Sequence, residues 1–521
     1  MVGVPRSGKT TSLHAMILTM AMLYSPEELE LYLIDAKHGV EFKAYEHLPH
    51  ARMVSIHSER EFSLAVLKSI QNKIKERAEL IKSHGGGLSN ITEFRNATGE
   101  VLPRIVVVID EFHELFEEAD SIGLEAFAAF SDIVRMGPFS GVHIVVASQT
   151  LSSMPALDRQ TLILLPQRVA FMCNEYDAEI VMGDTNKAAR MMSKTGEGLF
   201  NPARGDESKN QPFQGLYINP GLRSRLLREM REKADASGWA RHPRVFDGDA
   251  GVERPRGREN ERTSSRFTVP IGEPFTLAES ENLVLPRTRG ANLLLLGDRN
   301  DDGTSDLTLR GVLHSVLLAA RVQGASATVV DFIADEQIDG ALSVMEVADA
   351  EGSSYLRQSA LAAVLQETAT VVTTRTADAN YRGAPQILVL FGLQRALSLT
   401  PFDPYGVDTA DEPAPTQLLT AIMVNGPEVG VHVVVDVDRA RSAESRIGSD
   451  LLQEFMIRVA GSAADERDLS LASGSYGETA RLRFGQLLIG DHFKGTAKRA
   501  RGYRVFTRAT IGALEEDVDA E

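Results

Sequence analysis

The densest chemistry in this chain lies in its first residues. Gly3-Val4-Pro5-Arg6-Ser7-Gly8-Lys9-Thr10 has the spacing G-x-x-x-x-G-K-[ST] of a phosphate-binding loop, with Thr11 directly behind it. Gly3 and Gly8 permit backbone angles that a side chain would forbid, so the turn can aim its N–H groups inward. A helix starting near Lys9 adds its positive dipole end. Lys9 is expected on the β- and γ-phosphates of ATP, and the Thr10 hydroxyl on Mg²⁺. Residues 105–111, Ile-Val-Val-Val-Ile-Asp-Glu, form a continuous apolar run ending in two acids. Asp110 is expected to hold Mg²⁺. Glu111 is expected to orient and polarise the attacking water. Residues 142–149 form another apolar run, and Gln149 at its end is the candidate sensor of the terminal phosphate. Arg168, on the strand-like run Gln167-Arg168-Val169-Ala170-Phe171, could reach a neighbour's nucleotide or make a surface ion pair.

These groups must be positioned by a parallel sheet, because acids at the carboxyl ends of parallel strands line the ligand edge of an α/β fold. Residues 29–35 supply one such strand, ending in Asp35. Residues 59–83 have helical apolar spacing, and Gly85-Gly86-Gly87 stops them. A strand should also enter the phosphate loop directly, yet only Met1-Val2 precede Gly3. The first strand is therefore expected to be missing, with an upstream region, membrane-attached or otherwise, to supply it.

With 521 residues the chain is expected to hold two or more domains. Its net charge of −17 argues against a large surface that coats nucleic acid, and leaves room for a local basic patch or a ring lumen. The single cysteine, Cys173, excludes internal disulfides and cysteine-based metal sites and fits a reducing cytoplasm. The apolar run 15–24 is too short to span a bilayer and reads as the helix after the loop.

The stretches GVPRSGKTT, LYLIDAKHGVEF, IVVVIDEFHELF, RMGPFSGVHIVVASQT and QRVAF, in that order, resemble the FtsK/SpoIIIE family of P-loop motor ATPases in the RecA-like group. The resemblance covers roughly residues 1–220. It implies a RecA-like α/β fold, ATP hydrolysis, a homo-oligomeric ring and translocation of a polymer, usually double-stranded DNA. A branch similar to this family serves type VII secretion, where the cargo is protein. Pro138 stands where the family often has a second arginine, and Gln167 where it has threonine. No DNA-reading winged-helix domain is recognisable at the C-terminus.

Residues 236–266 turn dense in charge, with Arg254, Arg256, Arg258, Arg262 and Arg266 among acids, and read as an exposed linker. Residues 267–514 then repeat residues 1–235 faintly. Leu293-Leu294-Leu295-Leu296-Gly297 is a strand entering a glycine turn. Where the phosphate loop should follow, residues 298–305 carry no lysine and three added acids, which would repel phosphate. Residues 387–392 occupy the place of the 105–111 strand without either acid. Residues 426–435 echo 137–146, so that Asp438 falls where Gln149 stands, and Arg458 echoes Arg168. The expected architecture is two tandem RecA-like α/β domains, the first active and the second degenerate, followed by an acidic tail at 515–521. If the domains alternate around a ring, Arg458 is the finger supplied in trans. The alternative to a DNA motor or a protein-secreting ATPase is a nucleotide-gated scaffold with little turnover.

Overall fold

The computed structural model describes the whole chain except residues 38–40, 57–58, 85–86, 152–163, 249–251, 253, 255–265, 278–279, 298–306, 334–340, 379–380, 400–412, 475–481 and 508–521. The acid-rich turn after Gly297, the acidic tail, Gly85-Gly86, and Arg256, Arg258 and Arg262 thus lie outside the described residues. The chain divides into two compact α/β units, Met1–Ala250 and Gly251–Glu521.

In the first unit the strands are β1 (Leu29–Asp35), β2 (Ala51–Ile56), β3 (Arg104–Asp110), β4 (Val142–Val146), β5 (Arg168–Ala170), β6 (Glu197–Asn201), β7 (Gln211–Gln214) and β8 (Arg244–Asp247). Five of them form a parallel sheet in the order β4-β3-β1-β2-β8. β5, β6 and β7 form an antiparallel one. The helix Arg60–Ser83 buries Phe62, Val66, Ile70, Ile74 and Ile81, the stripe that its periodicity predicted.

Two expectations need correction here. The strand position before the phosphate loop is filled. Val2 pairs in parallel with Ser148 on one side and Ala170 on the other, donating to Val169 O at 3.0 Å and accepting from Phe171 N at 2.9 Å. Val2 thereby joins the two sheets into one surface. Two residues have no periodicity to read, and only their ladder partners reveal the strand. The span read as an exposed linker also contains structure. β8 pairs with β2, and its Phe246 is fully buried, stacked on Phe62 with ring centroids 3.7 Å apart. Further on, Val252 bridges to Tyr503, and the Arg254 guanidinium lies over the Tyr503 and Phe506 rings and donates to Ser315 Oγ. A charged surround concealed these few anchors.

The second unit has β9 (Arg266–Pro274), β10 (Glu281–Pro286), β11 (Leu293–Leu296), β12 (Ser326–Asp331), β13 (Ser354–Arg357), β14 (Gln386–Phe391), β15 (Val431–Val437), β16 (Ile457–Ala460), β17 (Gln486–Asp491) and β18 (Thr496–Gly502). They form one sheet in the order β10-β9-β18-β17-β16-β11-β15-β14-β12-β13. β11 is buried on both faces: Leu293 and Leu295 join one apolar cluster, Leu294 and Leu296 the other.

The order β2-β1-β3-β4-Val2-β5-β6-β7 in the first unit is matched by β13-β12-β14-β15-β11-β16-β17-β18 in the second. The faint sequence repeat is therefore a repeated topology, and strand register aligns the two units residue by residue.

Candidate functional site

The loop Gly3 to Gly8 folds tightly at the mouth of the first unit. A Cβ on Gly3 would stand 2.4 Å from Ser7 Oγ, and one on Gly8 2.9 Å from Gly196 Cα. Gly8 and Arg6 both take positive φ, at 108° and 65°. The helix Lys9–Leu23 begins directly behind, with Thr10 and Thr11 in its first turn. Ser7 Oγ is buried without a protein hydrogen-bond partner. An orphaned hydroxyl inside a glycine-bounded loop at a helix N-terminus fits a phosphate oxygen.

Lys9 is 4 % exposed, and its Nζ bridges the two acids that end β3. It donates to Asp110 Oδ1 and, at 2.7 Å, to Glu111 Oε1. Thus groups 101 positions apart in the chain close onto one ion-paired cluster. Burial pushes Asp110 above the ordinary carboxylate range, outweighing Lys9 beside it. Burial also pushes Glu111 up, but the Lys9 charge and hydrogen bond, together with the Gln149 N–H, outweigh it and hold this carboxyl below its ordinary value. Asp35 stands in register with Asp110 across β1 and β3, and is pushed up to about 7 by burial and then by the Asp110 charge. Thr10 and Asp110 fit a Mg²⁺ ion in the way the phosphate loop implies: a hydroxyl and a carboxylate, both hard oxygen donors. Among the described residues no cluster of three or more acids, histidines or cysteines makes an independent metal cage.

Glu111 carries a further mark. Its backbone sits in the left-handed region, φ 50° and ψ 44°, at the turn into the short helix Phe112–Phe116. A non-glycine residue there stores strain, typically of order 1–3 kcal/mol. In the second unit Asp331 pairs with Phe391 as Asp35 pairs with Asp110, so Gly392 takes the place of Glu111, with φ 79°. The unit without the acids uses glycine for this bend. The unit with them keeps a glutamate at a conformational cost.

Gln149 meets Glu111 through its backbone. Its N–H donates to Glu111 Oε2 at 3.0 Å. Asp438 is its counterpart by register, and its N–H instead reaches Gln394 Oε1 at 3.4 Å.

The two strand arginines hold different ground from the finger expected of them. Arg168 Nη1 donates to Val181 O at 2.8 Å, inside the helix Glu175–Met182. Arg458 Nη1 donates to Leu471 O at 3.0 Å, inside the helix Glu466–Ser473, and its Nη2 donates to Leu452 O at 2.7 Å. Each arginine thus reaches the carbonyl 13 residues ahead, on the last turn of the following helix. A cation there satisfies orphan carbonyls and complements the dipole. Arg458 is only 4 % exposed. In both units the guanidinium is thus bonded to carbonyls of its own chain.

The acids Asp177 and Asp468 repeat in the same way. Both are wholly buried, and they accept from Leu151 N at 2.8 Å and from Ala440 N at 2.7 Å. What the units share is scaffold. What only the first unit has is the Lys9–Asp110–Glu111 cluster.

Residues 1–153 match the FtsK/SpoIIIE family. The match covers the phosphate loop, the strand ending in Asp110 and the segment through Gln149. The DNA translocase FtsK of Helicobacter pylori strain J99 is 31 % identical over 206 residues, covering 38 % of this chain and 23 % of the relative. The DNA translocase FtsK of Streptococcus agalactiae is 26 % identical over 294 residues, covering 54 % and 33 %. The chain thus spans a quarter to a third of the length of these FtsK relatives. Among solved structures, ATPases 2 and 3 of EssC from Geobacillus thermodenitrificans superpose with a TM-score of 0.59 at 16 % identity, over 97 % of this chain and 91 % of that one. ATPases 2 and 3 of Thermomonospora curvata EccC, in complex with a signal sequence peptide, give 0.58 at 16 %, over 97 % and 88 %. At such identity the likeness is one of fold: two tandem α/β units, as found here.

A neighbour of Glu111 and the serine against it escaped the sequence reading. His113, buried within the turn, places Nδ1 2.9 Å from Ser148 Oγ and 3.4 Å from Glu111 Oε2. No spacing rule marks a histidine two residues beyond an acid pair, or a serine one before a glutamine.

Proposed function

We propose that this chain is an ATP-hydrolysing motor of FtsK/SpoIIIE type, converting ATP and water to ADP and phosphate in its first unit. The buried Lys9–Asp110–Glu111 cluster carries this reading, with Glu111 strained where the sister unit has glycine. Gly3 to Thr11 cradle the phosphates. Lys9 exchanges its carboxylate partners for the β- and γ-phosphates. Thr10 and Asp110 hold Mg²⁺, which neutralises charge on the phosphate oxygens when bound. Glu111, freed on Oε1, polarises the attacking water, while the Gln149 N–H keeps its Oε2 in place. The second unit, without the lysine and the acids, binds no ATP in this reading. Neither Arg168 nor Arg458 is assigned as a finger.

Double-stranded DNA is the cargo suggested by kinship to the DNA translocases, and a homo-oligomeric ring is part of that proposal. A polypeptide cargo is the second reading. It is favoured by the tandem architecture, which follows the EssC and EccC ATPase pairs from end to end, whereas the FtsK family match stops at residue 153. The test is ATP turnover of the full chain and of Glu111→Gln, with and without linear DNA. Glu111→Gln should bind ATP and lose roughly 10²–10⁴ in turnover. Normal turnover in that variant would refute the assignment. Stimulation by DNA that grows with its length supports the first cargo. Stimulation by a partner polypeptide, with indifference to DNA, supports the second.

A further inference from the structure

We infer that His113 is a positioning residue for Glu111, and that with the Gln149 N–H it locks one carboxylate oxygen so that the other faces water. This rests on the hydrolytic reading above.

The geometry divides the two oxygens of Glu111 cleanly. Oε1 is held by Lys9 at 2.7 Å. Oε2 receives the Gln149 N–H at 3.0 Å and faces His113 Nδ1 at 3.4 Å. Two further groups face the ring: Ser148 at Nδ1, and Glu114, whose Oε1 lies 3.5 Å from Nε2. Ser148 commits its hydroxyl proton to Thr150 O, while Ser148 Oγ accepts from Thr150 N at 3.2 Å. The imidazole must therefore be the donor in its 2.9 Å contact with Ser148 Oγ, and Nδ1 carries a proton. Burial holds the ring below its ordinary pKa, against the pull of Glu111, which favours the neutral form. A neutral ring with Nδ1–H turned toward Ser148 Oγ and Glu111 Oε2 steadies the carboxylate without neutralising it. A full positive charge at the same point would strip Glu111 of basicity.

The ring is rigidly placed. Its turn carries Phe112 and Phe116, which pack with Phe130 at centroid distances of 6.0 to 6.3 Å. Ser148, at the other end of the contact, receives the Gly3 N–H at 3.2 Å and pairs with Val2. His113 therefore ties the acid turn to the strand rung that enters the phosphate loop.

The second unit is an internal control. Register puts Gly392 at the place of Glu111, Gln394 at that of His113, Val437 at that of Ser148 and Asp438 at that of Gln149. Histidine and serine are absent where the glutamate is absent, whereas the carbonyl-bonded arginines and the buried aspartates persist. A histidine needed only for packing has no reason to follow the glutamate.

The full chain is tested as His113→Ala and His113→Asn, whose amide N–H falls near the position of Nδ1–H. Two readouts are taken: ATP turnover against binding of a non-hydrolysable analogue, and melting of the nucleotide-free protein. His113→Ala should lower kcat roughly 10-fold or more, as expected for losing a polar contact to a charged group, with analogue affinity unchanged within about 2-fold. His113→Asn should recover most of the loss. In nucleotide-free protein, the melting shift caused by His113→Ala should shrink when Glu111 is already Gln, because the two groups are coupled. Unchanged kcat in His113→Ala would overturn the inference. So would equal loss of kcat and affinity without rescue by Asn, or additive melting shifts. If Lys9→Ala and Glu111→Gln also left binding and turnover at wild-type levels, the hydrolytic reading itself would fall. If they behave as expected while His113→Ala is fully active, only this inference falls.

Discussion

Replacing Lys9 by methionine removes the ammonium that bridges two carboxylates, Asp110 and Glu111, that are 3 % and 5 % exposed. At 2.7 Å and an effective dielectric constant near 20, the gross attraction to Glu111 alone is about 6 kcal/mol. Much of that is offset by desolvation, and breaking a buried pair by deleting one partner typically costs about 3–5 kcal/mol. For a unit of this size, each kcal/mol moves the midpoint by about 2–4 °C, so the first unit should melt roughly 6–20 °C lower. The sign with pH follows from the stranded acids. Without Lys9, burial at Asp110 and Glu111 is opposed only by backbone N–H groups and, at Glu111, His113, so both carboxyls shift upward. Such groups favour the fold when protonated and oppose it as pH rises through the folded value. The deficit should be large at pH 7.5 and smaller at pH 5. Trp239, the single tryptophan, lies in the first unit, so its fluorescence on heating nucleotide-free Lys9→Met reports that unit. A midpoint within 1 °C of wild type (about the precision of such a melt), or an equal deficit at both pH values, would refute the buried ion-paired cluster.

Asp35, raised from 3.8 to about 7 by burial, contributes stability that is full below its unfolded value and lost as pH rises through about 7. Asp35→Asn should flatten that part of the stability curve, and a curve of unchanged slope between pH 5 and 8 would contradict it. Phe246→Ala should cost about 3–5 kcal/mol by emptying the stack on Phe62, measured by denaturant unfolding; a cost under about 0.5 kcal/mol, as for an exposed linker, would return β8 to that status. Arg458→Leu should leave ATP turnover of the folded chain at the wild-type rate while weakening the second unit, at about 1–3 kcal/mol for each carbonyl it orphans, read by hydrogen exchange of the helix Glu466–Ser473. Loss of turnover without loss of exchange protection would restore the finger.

How much could be read in advance depended on whether the signal was local. The phosphate loop is eight contiguous residues whose glycines and lysine are each required by backbone geometry or charge, so spacing alone identifies it. The strand ending in Asp110-Glu111 is equally legible, because a strand buried on both faces must be a continuous apolar run. The same rule made β11, β14 and β15 visible in the second half, and with them the repeated topology. Sequence by itself therefore determined the fold class and the tandem repeat, and it named the residues for which an ATP-handling role is proposed.

Tertiary structure decided what depends on pairing between distant segments. Val2 takes a strand position, as a single bridging residue, only because Ser148 and Ala170 flank it. Phe246 is core only because Phe62 lies beneath it. The arginines of β5 and β16 look alike in sequence, and only the fold shows that each bonds a carbonyl 13 residues further on. His113 is an ordinary residue until a left-handed turn at Glu111 brings it beside one carboxylate oxygen, with Ser148 against its ring. In each case the chain specifies the residue locally, but its partner is chosen by packing, which no short window of sequence contains.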